Sequence, residues 1–134
     1  MKIINKSDEE WINLLGKEAF LVCRKKGTEP PFSGKYANSK GVGTYHCVCC
    51  GQALFSSIDK YDSGTGWPSF KDEFTGANII KERDLSYGME RVELVCGNCD
   101  SHLGHLFNDG PNPTGLRYCI NSLSLDLKQS CDDD

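Results

Sequence analysis

Apolar residues follow two regimes along the chain. Before residue 27 they recur at helical spacing, and after residue 44 they tend to alternate with polar ones. Ser7-Asp8-Glu9-Glu10 predicts a helix start, because Ser7 is a capping residue and Glu10, three positions on, completes a capping box. Trp11, Leu14 and Leu15 then share one helical face, and Gly16 predicts the stop. Ala19, Phe20, Val22 and Cys23 mark a second amphipathic segment. Gly27-Thr28-Glu29-Pro30-Pro31 ends helix, since proline cannot continue one. Residues 27–44 read as an ordered but irregular arm.

Met89-Glu90-Arg91-Val92-Glu93-Leu94-Val95 alternates near a period of two, with apolar residues on one face and charged residues on the other. Leu123–Leu127 repeats the pattern. Gly43–Val48, Ala77–Ile80 and Leu116–Ile120 are further predicted strands. Turn chemistry separates them at Asp62-Ser63-Gly64, Asp109-Gly110-Pro111 and Pro113-Thr114-Gly115. The pattern predicts a small, mainly β, mostly antiparallel domain with N-terminal helices. Without βαβ alternation, a nucleotide-binding parallel sheet is not expected.

A length of 134 residues suits one domain spanning 1–134, with 1–6 and 128–134 expected as flexible ends. Fifteen basic against 19 acidic residues give a net charge of −4. That balance disfavours nucleic acid, whose phosphates call for a basic surface. No apolar run approaches the roughly 18–20 residues of a bilayer span, and Met1–Lys6 lacks the apolar stretch of a signal peptide. The expectation is therefore cytoplasmic, without membrane contact.

Eight cysteines change the picture. In a reducing compartment a disulfide scaffold is disfavoured, which leaves metal binding or thiol chemistry. Cys47-x-x-Cys50 and Cys96-x-x-Cys99 are matched pairs, each able to present two thiolates from one tight turn. Four thiolates suit one Zn²⁺ per chain, and a closed shell of sulfurs makes the site structural. Gly51 and Gly97 give the backbone freedom to wrap the metal. The alternatives are four unrelated thiols or a redox-active Cys-x-x-Cys, which would not need a second copy. Cys49 is a spare thiol beside the first pair.

Cys23, Cys49, Cys119 and Cys131 remain. Cys119 stands two residues from Arg117, so an extended strand projects both side chains to one face. A nearby guanidinium favours the nucleophilic thiolate. His102 and His105, expected in a loop anchored by the second cysteine pair, are the residue type that donates protons near neutral pH. The same three residues could also be packing groups or further metal ligands. Trp67 and Phe70, in Gly64–Phe70, could wall an apolar pocket or form a core lid.

Together these segments resemble the methionine-R-sulfoxide reductases of the B type, over Trp11 to Leu127. The matching stretches are Gly27–Gly34, the two cysteine pairs, Ser63–Phe70, His102–Pro111 and Arg117–Asn121. The resemblance implies two antiparallel sheets with N-terminal helices, stapled by zinc. It implies reduction of the R epimer of methionine sulfoxide, chiefly in oxidised proteins, as a repair of oxidative stress. Carried over by motif, Cys119 attacks sulfur, His105 gives a proton to the sulfoxide oxygen with His102 assisting, and Arg117 stabilises the thiolate. Asn121 organises the hydrogen bonds, and Trp67, with Phe70, holds the substrate. Cys119 is left as a sulfenic acid, which condenses with a second thiol to a disulfide that thioredoxin reduces. Many members carry the resolving cysteine where this chain has Thr65. Cys23 is the expected substitute, with Cys131, Cys49 or an external thiol as competitors. A monomer is expected. The rival class is a non-catalytic zinc module, which would not need His102, His105, Arg117, Cys119 and Asn121 together.

Overall fold

A computed structural model describes residues 6–37, 39–85 and 88–129. Cys131 lies outside them. The chain opens with α1 (Asp8–Leu15) and α2 (Lys17–Lys25). The capping box forms as read: Ser7 Oγ accepts from Glu10 N–H at 3.1 Å, and Glu10 Oε1 accepts from Ser7 N–H at 2.8 Å. The apolar face of α1 is narrower than expected. Trp11 is buried under the Arg24 guanidinium, 4.6 Å above its ring, whereas Leu14 is 60% exposed. Of α1, Trp11 is the fully buried side chain, and Leu15 is half-buried at the groove beside α2.

Nine strands follow among the described residues: β1 (Gly43–Cys47), β2 (Ala53–Ser56), β3 (Lys60–Tyr61), β4 (Ser69–Phe70), β5 (Ile79–Asp84), β6 (Arg91–Cys96), β7 (His102–Phe107), β8 (Arg117–Ile120) and β9 (Leu125–Gln129). They form two sheets, ordered β2-β1-β9 and β3-β4-β8-β7-β6-β5, and the strand pairs are antiparallel. The mainly β expectation with two antiparallel sheets and two helices holds. Tyr45, Leu54, Phe55, Phe70, Leu94, Leu103, Tyr118 and Ile120 fill the core. Phe55 stacks on Phe70 with ring centroids 4.4 Å apart, and Tyr45 meets Phe70 edge-on at 5.1 Å.

Three expectations change. His102 and His105 stand on a strand, β7, not in a loop. The pairing of β6 with β7 skips Leu103, and such a bulge turns two side chains an odd number of residues apart toward the same face. β6 keeps Arg91 and Glu93 on the face opposite Val92 and Leu94, but burial does not follow polarity: Glu93 is 4% exposed while Val92 is 37% exposed. Lys128 and Gln129, expected in a flexible end, pair with Thr44 and Gly43 in the last strand.

Candidate active site

The four paired cysteines come together between the sheets. Their sulfurs lie within 4.8 Å of one another, with Cys47–Cys99 at 3.6 Å and Cys50–Cys96 at 3.5 Å. Tetrahedral zinc–thiolate bonds of ~2.3 Å set sulfurs about 3.8 Å apart, so the donor set fits that ion. The two turns are built alike. Cys47 N–H donates to Gln52 O and Gly51 N–H to Cys47 O; Cys96 N–H donates to Ser101 O and Asp100 N–H to Cys96 O. Each turn ends in a left-handed residue, Gly51 at φ 88° and Asp100 at φ 65°. Gly97 is needed for another reason, since a Cβ there would collide with Asn78. Hydrogen bonding to Cys47 pulls the Cys50 and Cys96 thiols below the ordinary range. The same contacts and burial push the Cys47 thiol up, so the shifts are shared out within one hydrogen-bonded cluster.

Cys119 sits in the middle of the six-stranded sheet. It pairs with Ser69 of β4 on one side and His105 of β7 on the other. Arg117 shares its face. The Arg117 guanidinium forks onto Asp109, with Nε–Oδ1 at 2.9 Å and Nη2–Oδ2 at 3.3 Å, and stacks 4.3 Å from the Phe107 ring centre. Burial pushes the Cys119 thiol up, while the Arg117 charge and hydrogen bonds from Thr65 and Arg117 pull it down. Burial prevails, so Arg117 acts in the expected direction without by itself making a low-pKa thiol.

Cys119, His105, Trp67, Asn121, Thr28, Gly104, Phe107, Ile120 and Arg91 line a cavity of about 90 Å³, roomy enough for a side chain but not for a folded segment. The Trp67 indole N–H donates to Glu29 O at 2.9 Å. Asn121 Oδ1 accepts from Glu29 N–H at 3.0 Å, and its Nδ2 donates to Leu103 O at 3.1 Å. The buried Glu29 carboxylate accepts from Ser122 N–H and Leu123 N–H at 2.9 and 3.0 Å. The arm is thereby stitched to the cavity wall. A larger groove of about 790 Å³ between α2, the arm and β9 contains neither the thiol nor the imidazoles.

His102 stands behind His105, their rings 5.5 Å apart and edge-on. It is 3% exposed, and burial lowers its pKa against the pull of Glu93. His102 Nδ1 lies 2.7 Å from Glu93 Oε2, and its Nε2 has no hydrogen-bond partner among the described residues. Phe70 does not reach the cavity. It follows Ser69 on β4, and alternation turns it to the opposite face, into the aromatic core. Cys23 is also elsewhere: it is 1% exposed on α2, with its thiol near Leu123 O and Ser124 Oγ, both at 3.7 Å.

Sequence reading missed Asp84, Arg91, Glu93, Glu29 and Asp109, and it weighed Thr65 only as a lost cysteine. The Glu29-Pro30-Pro31 stretch carried one signal, an acid in an otherwise apolar turn. The other acids are set by strand register, which one sequence does not display.

Fold and site define a mainly β protein with a four-cysteine cluster able to hold a metal ion and, apart from it, a largely buried thiol in register with an imidazole. The SelR domain model matches residues 15–129. The chain is 56% identical over 127 residues to the peptide methionine sulfoxide reductase MsrB of Pseudomonas fluorescens, covering 95% of this chain and 98% of that one. It is 57% identical over 127 residues to the MsrB of Pseudomonas syringae pv. syringae, at 95% and 97% coverage. For the MsrB of Acinetobacter baumannii the identity is 57% over 125 residues, at 93% and 90% coverage. The chain belongs to the SelR family, the peptide methionine sulfoxide reductases of the MsrB type.

Proposed function

We propose that the chain reduces the R epimer of methionine sulfoxide, chiefly within oxidised proteins, to methionine. The observation that carries this reading is Cys119 held in register with His105 beside a cavity of side-chain size walled by Trp67. The Cys119 sulfur bonds to the sulfoxide sulfur as His105 gives a proton to the sulfoxide oxygen. Trp67 packs on the S-methyl group, Arg117 favours the thiolate, and Asn121 fixes the arm that carries the indole contact. His102 assists from the second layer, through its ring contact with His105. Oxygen passes to Cys119 as the thioether leaves, so a thiol and a sulfoxide become a sulfenic acid and methionine. A second thiol then condenses with the sulfenic acid, releasing water.

Cys23 is the thiol we assign to that step, and thioredoxin the dithiol that reopens the disulfide. A disulfide needs Cα atoms within about 7 Å. Cys23 packs against Leu123 and Ser124 and does not line the cavity, so a Cα separation beyond that limit would call for a movement of α2 or the arm. Zinc at Cys47, Cys50, Cys96 and Cys99 supplies structure rather than chemistry. The chain acts as a cytoplasmic monomer without a nucleic-acid partner. Among the described residues no helix is long and apolar enough to cross a membrane.

The test uses separated epimers of a methionine-sulfoxide peptide, with dithiothreitol first and thioredoxin second. Turnover of the R epimer alone, lost in Cys119→Ser, is the expected result. Turnover of the S epimer, or full activity in Cys119→Ser, would overturn the reading.

A further inference from the structure

His105 is hydrogen-bonded on the side away from Cys119. Asp84, at the end of β5, meets His105 Nε2 through Oδ2 at 2.8 Å. The two residues stand two strands apart, with Asp84 opposite Arg91 on β6 and Glu93 opposite His105 on β7. Alternation places them on the face that carries Cys119. Both side chains are largely covered, 18% exposed for Asp84 and 12% for His105. The imidazole therefore reaches across β6, and a carboxylate receives it there.

We infer that Asp84 is the positioning residue for His105: it holds the ring through Nε2–H and leaves Nδ1 as the nitrogen that hands its proton to the sulfoxide oxygen. The inference rests on the function proposed above. An ionised carboxylate only accepts, so the shared proton resides on Nε2. Nδ1 has no hydrogen-bond partner among the described residues. In the imidazolium both nitrogens carry protons. The one on Nδ1 goes to the sulfoxide oxygen as the Cys119–sulfur bond forms, the neutral ring keeps Nε2–H on Asp84, and solvent restores the lost proton. No ring rotation is needed between turnovers.

Other charges around the ring oppose or support this arrangement. Arg91 Nη2 also contacts Asp84 Oδ2, at 3.5 Å, and a cation there disfavours the imidazolium. Glu93, from β6, is shared between His102 at 2.7 Å and Lys26 at 3.3 Å. His102 adds no charge while neutral. On β8, Cys119 as thiolate favours imidazolium, and Arg117 disfavours it while forked onto Asp109. Asp84 is the acid in hydrogen-bond contact with the ring, so its removal has the largest effect on both tautomer and charge.

The experiment compares the parent with Asp84→Ala, Asp84→Asn and Asp84→Glu. Nitrogen NMR of the resting parent, without substrate, should find neutral His105 in the Nε2–H tautomer, and Asp84→Ala should mix the tautomers. With dithiothreitol as reductant, Asp84→Ala should lose tenfold or more in kcat with KM changed less than threefold. Asp84→Asn should likewise lose kcat, and Asp84→Glu should restore much of it. A parent in the Nδ1–H tautomer, or Asp84→Ala with the parent's kcat, would overturn the inference. Failure of the parent to reduce the R epimer would instead overturn the function, and the substrate-free tautomer measurement keeps the two failures apart.

Discussion

Arg117 does two things with one guanidinium: it forks onto Asp109 and lowers the proton affinity of a thiol that burial raises. A nucleophilic thiol works deprotonated, so rate rises as pH rises through its pKa. Arg117→Met should therefore move the rising limb of the pH–rate profile to higher pH, with activity recovering at the alkaline end. An unmoved limb would show that the guanidinium does not govern the thiol. His105→Ala should lower kcat by about 10²–10⁴-fold, the range for a positioned acid, read with dithiothreitol so that recycling does not intervene. Trp67 and Phe70 now divide by face. Trp67→Ala should raise KM. Phe70→Ala should cost about 3–5 kcal/mol in urea unfolding through a core cavity, and Phe70→Leu should lower the melting temperature while leaving KM alone. The sequence displayed Cys119 with Arg117 because strand alternation links neighbours two apart. It did not display Asp84 or Glu93, because their partners are 21 and 9 residues away. It misread Phe70 because aromatic residues at a glycine-proline loop look alike whichever face they take.

Among the elements, the two cysteine turns were legible from spacing alone, and the helix start from its capping box. β7 was not, since His102-Leu103-Gly104-His105 breaks alternation at the bulge, and bulges depend on the partner strand. The turns carry their own test. Cys96→Ser should lose the metal and most of the fold, because structural zinc contributes directly to folding free energy. Metal analysis and circular dichroism read both, and a zinc-free protein of parental stability would contradict it. Gly51→Ala should cost about 1–2 kcal/mol, the strain of a left-handed residue with a Cβ, because nothing else stands within 4 Å of that position. The second helix is subject to a different measurement. Cys23→Ser should keep dithiothreitol-driven turnover and lose most thioredoxin-driven turnover. Peptide mapping after one equivalent of substrate should join Cys23 to Cys119 in the parent. A persistent sulfenic acid with full thioredoxin activity in the variant would remove α2 from the cycle.

For the whole molecule, the cysteine cluster is the seam between the sheets. One turn follows β1 of the small sheet, and the other joins β6 to β7 of the large one. Arg24 extends the seam to the helices, donating from Nη1 to Cys99 O at 2.8 Å. β8 is tied into the same body: Tyr118, between Arg117 and Cys119, faces the core against Phe55. Mainly β architecture followed from alternation and turns. How the strands are ordered did not, because pairing across the sheet is set by packing rather than by neighbours in the chain.

The pairing of β1 with β9 has a consequence for how the chain is made. Cys47 and its strand leave the ribosome well before their hydrogen-bonding partner at residues 125–129, with seven other strands in between. β4 likewise waits for β8. Such non-local closure is slow, and until it occurs the nascent chain exposes unpaired strand edges and reactive thiols together. Synthesis stalled before residue 125 should thus yield a chain sensitive to protease and thiol alkylation, and release of the full-length chain should abolish both sensitivities at once.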